Sequence, residues 1–372
     1  MIGTNTVIAK VYENDKLVGI FPRTTKITAS LDNLLSLADQ NSQIDFGVEQ
    51  KYFTSHQIDK DPILVSLFEH TTKMLKVKTF ESELPDVLIK LEQGVFTEEV
   101  IREAQNLLEF GAVRTAEKIT DPQTGKSTWQ TQIYGLDCMN ALFKRPNVPM
   151  GNGYYDKVPL LTHGWTKEMF DARGIRFIPG SFARGGSYIG YGVTLMPGSI
   201  VNSGAHVGDG SIIGDEKPQG QDIMNDGGAR IASGAQVGKG VKMGAGSGLE
   251  GVLQPKGYLP TIIEDNVMIG ANCEIAGIVE EGARIASGVI MTKQKKIFDL
   301  KTGEEQKPIY LQVGDVFVPV PYIPNKRTAV PGTYPDKNFP KYGIACTLLL
   351  EKDAGDGTVK ELPKNSDLYI GR

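Results

Sequence analysis

Between Ile178 and Met291 aliphatic residues return every six positions, and that period constrains the fold more than anything else in the chain. One phase runs through Ile189, Leu195, Val201, Val207 and Ile213 and resumes at Ile231, Val237, Met243 and Leu249. It restarts as Ile263, Ile269 and Ile275, and again as Val279, Ile285 and Met291. A period of six fits neither the turn of an α-helix nor the alternation of a strand; it is the period of a parallel β-helix made of hexapeptide repeats, three to a triangular coil. Each aliphatic residue then points into the prism and stacks on its counterpart one coil away, so that coils bury one another's apolar edges. Gly and other small residues often follow the aliphatic one, where a tight corner favours positive φ.

Two interruptions break the phase, and loops inserted into a solenoid leave the packed core and reach for ligands. Ile213 and Ile231 are 18 residues apart where six would suffice, which leaves twelve extra residues containing the polar run Asp215 to Asp222 and ending in Asn225, Asp226, Gly227 and Gly228. The second interruption, Gln254 to Thr261, carries Pro255, Gly257 and Pro260.

The chain has 372 residues, enough for two or three domains. Residues 1–111 are expected to form a mainly helical domain with an N-terminal extension, in which short strands (Thr6 to Tyr12, Leu17 to Phe21) precede helical patterns around Leu31 to Leu37, Ile63 to Met74 and Leu84 to Leu91. Its clearest helix follows Thr97, a predicted N-cap, with Glu98 and Glu99 at the positive end of the dipole. Val100, Ile101, Ala104, Leu107 and Leu108 share one face of it, and Gly111 closes the end. Residues 112–177 are expected to be a connector with one short helix, capped by Thr166 and ended by Gly174; residues 178–292 the prism; and residues 293–372 a small C-terminal β domain that opens with a hairpin around Lys301 to Gly303.

Composition narrows the partners. A net charge of −4 gives no electrostatic footprint for nucleic acid or an anionic membrane. No apolar run has the length of a membrane span and no signal sequence opens the chain, so a cytoplasmic location is expected. Cys138, Cys273 and Cys346 are far apart, and the four histidines are scattered, so neither a disulfide framework nor a zinc site is expected.

Particular segments add a family. Gly111-Ala-Val-Arg-Thr-Ala-Glu-Lys118, Tyr155-Asp-Lys-Val-Pro159, Gly174-Ile-Arg-Phe-Ile-Pro179 and Leu195-Met-Pro197 occur in order. So do Gly251-Val-Leu-Gln-Pro255, Pro260-Thr-Ile-Ile-Glu-Asp-Asn266, Ile269-Gly-Ala-Asn-Cys-Glu274, Val279-Glu-Glu-Gly282 and Asp299-Leu-Lys-Thr-Gly-Glu304. From about Gly111 to Leu350 the chain resembles the tetrahydrodipicolinate N-succinyltransferase family of lysine and diaminopimelate biosynthesis. The resemblance implies a mainly β chain whose prism is a left-handed parallel β-helix, a homotrimer with active sites shared between subunits, and succinyl-CoA as co-substrate with no metal or redox cofactor. It implies transfer of a succinyl group to the amino group of 2-amino-6-oxopimelate, a small dicarboxylate acceptor.

The resemblance also implies roles for residues. Arg176 binds a substrate carboxylate, for which the guanidinium fork is suited. Asp226, five residues before Ile231, is the active-site aspartate, with Asp215 as its competitor, and Glu274 is the second active-site carboxylate. A carboxylate that takes a proton from an ammonium needs burial or a second carboxylate beside it. Lys293, Lys295 and Lys296, where the repeat stops, are candidate contacts for the phosphates of coenzyme A. The chain departs from the family at Gly227-Gly228, where a Trp is usual, at Leu136-Asp137-Cys138, where Lys-Lys-Ala is usual, and in its N-terminal extension and twelve-residue insert. The rival readings are an acetyl-CoA-dependent acyltransferase of the same fold, in which His206, alone in the prism, would be the base, and a non-catalytic prism scaffold.

Overall fold

The computed structural model describes residues 9–13, 16–21, 75–78 and, apart from 121–124, 126, 151–152, 216–227, 252–258, 314–315 and 337–340, residues 86–353. The helical patterns expected around Leu31 to Leu37 and Ile63 to Met74 lie outside these residues. Ala9–Glu13 pairs antiparallel with Lys16–Phe21 and with Leu75–Lys78.

Three parallel sheets form the prism. The first face stacks Arg176–Phe177, Thr194–Leu195, Ile212–Asp215, Lys242–Gly244, Met268–Ile269 and Arg284–Ile285. The second stacks Phe182–Ala183, Ile200–Val201, Arg230–Ile231, Gly248–Leu249, Glu274–Ile275 and Ile290–Met291. The third stacks Tyr188–Ile189, His206–Val207, Gln236–Val237, Ile262–Ile263 and Ile278–Val279. All fifteen phase residues are inside, none more than 3% exposed, in one continuous core. Burying such a side chain is worth about 1.5–3 kcal/mol each relative to leaving it in water, so the period itself holds the stack together. Corners alternate in the same rhythm: positive φ recurs at Gly174, Gly180, Gly186 and Gly192, and Asn266 and Asn272 adopt it in the second register. Asn reaches this region more easily than other residues that carry a Cβ.

The prism continues past Met291. Tyr322–Ile323 joins the third face beside Ile278–Val279, and Arg327–Pro335 joins the first beside Arg284–Ile285. Ile323 and Ala329, again six residues apart, are both fully buried. Two hairpins between Met291 and Tyr322 hide this return from a periodicity reading. Ile297–Asp299 pairs with Glu304–Glu305 around the Lys301–Gly303 turn, and Ile309–Val313 pairs with Val316–Val320. Gly343–Asp353 then closes the first sheet, antiparallel to Arg327–Pro335 and parallel to Ile297–Asp299.

Four helices are described: α1 (Asp86–Glu92), α2 (Glu98–Glu109), α3 (Ile133–Leu142) and α4 (Lys167–Arg173). In α2, Thr97 Oγ1 accepts from Val100 N at 3.3 Å and the five expected residues are buried. The connector holds two helices instead of one, because α3 is apolar on most sides and shows no clear amphipathic stripe. Thr166 sits at the N-cap of α4 without a side-chain capping bond, while Gly174 ends the helix at φ +62°. Helix α3 docks on the glycine corners: a Cβ at Gly186 would come 2.3 Å from Leu142 and one at Gly204 2.5 Å from Met139. A hairpin, Ala116–Thr120 with Ser127–Thr131, lies over the third face, where Thr115 Oγ1 donates to Gly234 O at 2.5 Å.

Candidate active site

On each coil the residue before the inward aliphatic one faces out of the sheet. On the second face Arg230, Gly248 and Glu274 occupy that position on three consecutive rungs. The middle rung has no side chain, and the outer two meet across it: Arg230 Nη2 donates to Glu274 Oε2 at 3.1 Å. A Cβ on Gly248 would lie 2.6 and 2.8 Å from the two Glu274 carboxylate oxygens and 2.9 Å from Arg230 Nη2. The side chains of Arg230 and Glu274 are 62% and 40% exposed, so the pair lies on the surface of the face. Glu274 therefore lacks the burial expected of a proton acceptor, and its ion-pair partner among the described residues is a guanidinium.

Both ends of the twelve-residue insert are fixed to this edge of the prism. Ser199, fully buried, donates from Oγ to Ile213 O at 2.9 Å and accepts from Ala229 N at 3.2 Å. Gly228 brings the returning chain so close to Gly198 and Ser199 that a Cβ would fall 2.0 Å from their backbone. Asp226, two residues upstream, lies outside the described residues. Asp215 ends the strand that enters the insert.

The other expected residues are spread over the prism. Arg176 opens the first strand of the first face and is exposed. Four rungs separate its level from that of Glu274, about 19 Å along the axis at the spacing of paired strands. One chain alone does not bring the two together. Lys296 Nζ pairs with Glu305 Oε2 at 2.5 Å and sits over the rings of Phe298 and Tyr334. Lys295 Nζ donates to Ala345 O at 3.5 Å, and Lys293 lines a narrow pocket with Glu250 and Gly251.

His206 is 6% exposed and stacks on Tyr188, with ring centroids 4.3 Å apart. Burial first, then the charges of Arg114 and Lys239, depress its pKa well below the ordinary imidazole range. A histidine held this way is a poor base, which weakens the acetyltransferase rival built on it. It lines a cavity of about 260 Å³ on the third face with Arg114, Trp129, Lys239 and Glu264. Sequence reading also missed Arg230; the signal was available, since Arg230 precedes Ile231 as Glu274 precedes Ile275.

A family model described as the hexapeptide repeat of succinyl-transferase matches residues 260–293. The 2,3,4,5-tetrahydropyridine-2,6-dicarboxylate N-succinyltransferase of Acinetobacter baylyi is 35% identical over 260 residues, covering 68% of this chain and 83% of that protein. Its namesake from Methylorubrum populi is 36% identical over 264 residues, covering 69% and 85%. A solved Campylobacter jejuni chain, provisionally named a 2,3,4,5-tetrahydropyridine-2-carboxylate N-succinyltransferase, is 14% identical, covers 93% of this chain and 92% of that one, and superposes with a TM-score of 0.34, too low to carry weight. The three parallel sheets with their hexapeptide repeat are a left-handed parallel β-helix. With identity above one third across more than four fifths of these relatives, the chain belongs to the 2,3,4,5-tetrahydropyridine-2,6-dicarboxylate N-succinyltransferase family.

Proposed function

We propose that this chain transfers the succinyl group of succinyl-CoA to the amino group of 2-amino-6-oxopimelate, the hydrated, ring-opened form of tetrahydrodipicolinate, in lysine and diaminopimelate biosynthesis. The observation that carries the reading is the similarity to relatives that bear this name over most of their length. No metal or redox group enters the proposed steps.

The acceptor arrives as an ammonium, which has no lone pair to donate. One carboxylate must hold it and take a proton, after which the amine nitrogen attacks the thioester carbon, the C–N bond forms, the C–S bond breaks, and the second proton that the nitrogen loses goes to the departing thiolate of coenzyme A. Asp226 is assigned the orienting and proton-accepting role, and Glu274 holds the ammonium by its charge. Arg176 is assigned a carboxylate of the acceptor. Lys293 and Lys295 are assigned to the phosphates of coenzyme A; Lys296 would have to exchange Glu305 for such a phosphate. The working unit is a cytoplasmic homotrimer whose clefts lie between neighbouring prisms. Among the described residues no helix is long and apolar enough to cross a membrane.

The test is steady-state thiol release with 2-aminopimelate and with tetrahydrodipicolinate, comparing succinyl-CoA with acetyl-CoA. A strong preference for succinyl-CoA is expected. Preference for acetyl-CoA would overturn the choice of donor, and no release with either would overturn the reaction.

A further inference from the structure

Glu274 is a flexible side chain on an open face, and such a group acts well only if something holds its rotamer. On the second face Arg230 supplies that hold. Arg230 reaches over the bare backbone of Gly248 and bonds Oε2, while Oε1 has no partner among the described residues. The three residues are locked in register by parallel pairing, Arg230 to Gly248 and Gly248 to Glu274, so the gap and the two side chains that fill it belong to one ladder. We propose that Arg230 is a positioning residue for Glu274: across the gap left by Gly248 it clamps the carboxylate as an anion lying against the face, with Oε1 left to receive the acceptor's ammonium.

This rests on the role given to Glu274 above and sharpens it. A carboxylate already accepting a guanidinium N–H serves as a fixed negative charge, which leaves proton removal to another group. The arrangement also separates function from folding. An exposed ion pair contributes little to stability, because water screens it and two long side chains must be ordered to make it. Removing it therefore leaves the prism intact while freeing the carboxylate to move. Gly248→Ala gives the same result by another route, because the atoms its Cβ would strike are the ends of two flexible side chains and not backbone.

The experiment compares kcat and KM for succinyl transfer in Arg230→Ala, Arg230→Lys, Gly248→Ala, Glu274→Gln and the Arg230→Ala/Glu274→Gln double variant, with far-ultraviolet circular dichroism to confirm folding. A misplaced group costs up to about 100-fold in rate, so Arg230→Ala and Gly248→Ala are each expected to lower kcat roughly 10- to 100-fold while KM changes less than about threefold. Arg230→Lys should retain part of the rate. Guanidinium ion added to Arg230→Ala should restore part of it, and should not do so for Gly248→Ala. In the Glu274→Gln background, Arg230→Ala should cost nothing further. If Glu274→Gln is itself as active as the parent, the role of Glu274 falls and the clamp falls with it. If Glu274→Gln is inactive but Arg230→Ala and Gly248→Ala keep parental kcat, only the clamp falls. A raised KM at unchanged kcat in Arg230→Ala would also overturn it, because Arg230 would then bind substrate directly.

Discussion

Replacing Gln236 by Leu should unlatch the connector hairpin from the prism. Gln236 is 1% exposed and sits on the third face with every polar atom engaged. Its Oε1 accepts from Arg114 Nε at 2.8 Å, and its Nε2 donates to Thr115 Oγ1 at 2.7 Å and to Gly234 O at 2.9 Å. Leu fills a similar volume, so the loss is almost wholly of hydrogen bonds. The bond to the guanidinium is worth about 1.5–3 kcal/mol and each neutral bond about 1 kcal/mol, which sums to roughly 3 kcal/mol after the gain from apolar burial is set against it. The loss is sharpened because burial already depresses the pKa of Arg114, so the substitution takes an acceptor from a cation that water reaches poorly. Two of the three bonds, including the strongest, tie Arg114 and Thr115 to the prism, so most of the cost falls on opening of the hairpin Ala116–Thr120 and Ser127–Thr131 that follows them. Native-state hydrogen exchange resolves such local openings. At about 1.4 kcal/mol per factor of ten, the hairpin amides should exchange roughly 100-fold faster, while the prism amides around Ile269 and Ile285 should be unaffected. Hairpin amides that stay within about threefold of the parent would refute the reasoning, since the two bonds to the connector would then contribute almost nothing.

Two further substitutions probe the remaining joints. Asp299 is held by a bidentate Arg327, with Nη2 to Oδ1 at 2.7 Å and Nη1 to Oδ2 at 3.1 Å, and the Arg327 hydrogen bonds keep its carboxyl below the ordinary carboxylate range. A carboxyl whose folded pKa is depressed stabilises fully above its unfolded pKa of about 3.9 and loses that contribution as pH falls through the folded value. Stability of the parent should therefore fall below about pH 4 more steeply than that of Asp299→Asn, read as denaturation midpoint against pH, and superimposable acid limbs would count against the pair. Gly277 sits at φ +101°, at the corner where the repeat is two residues short, and a Cβ there would lie 2.1 Å from Pro321 O. Gly277→Ala should cost on the order of 3 kcal/mol or more, measured as a drop in Tm, because both the backbone region and the space exclude the methyl group; an unchanged Tm would mean the corner relaxes freely.

What could be read from the residues and what could not divides along sequence distance. Inward positions announce themselves because each is tested within six residues of the next, and the burial of Ile189, Leu195 and Val201 follows from that spacing alone. The face of α2 is legible for the same reason. Ile323 and Ala329 keep the period too, but two hairpins separate them from Met291, so nothing local says that the chain has rejoined the prism. The Arg230–Glu274 pair needs the coil count carried across the interruption at 252–258, where two rungs span 44 residues instead of 36.

The motif Gly111-Ala-Val-Arg-Thr-Ala-Glu-Lys118 is instructive in another way. It carried the family resemblance, yet its polar side chains are spent on holding the connector to the prism. Arg114 and Thr115 go to Gln236 and Gly234, and Lys118 Nζ meets Glu264 Oε1 at 2.7 Å, where Trp129 Nε1 also donates at 2.6 Å. Glu264 belongs to another of the family segments, Pro260-Thr-Ile-Ile-Glu-Asp-Asn266, so residues 146 apart in sequence, Lys118 and Glu264, are the two halves of one joint. A residue pattern can therefore identify a family through its architecture, by the residues that hold one joint together. The proposed ammonium contact, Glu274, stands on the second face, where Gly248 leaves room for Arg230 to reach it.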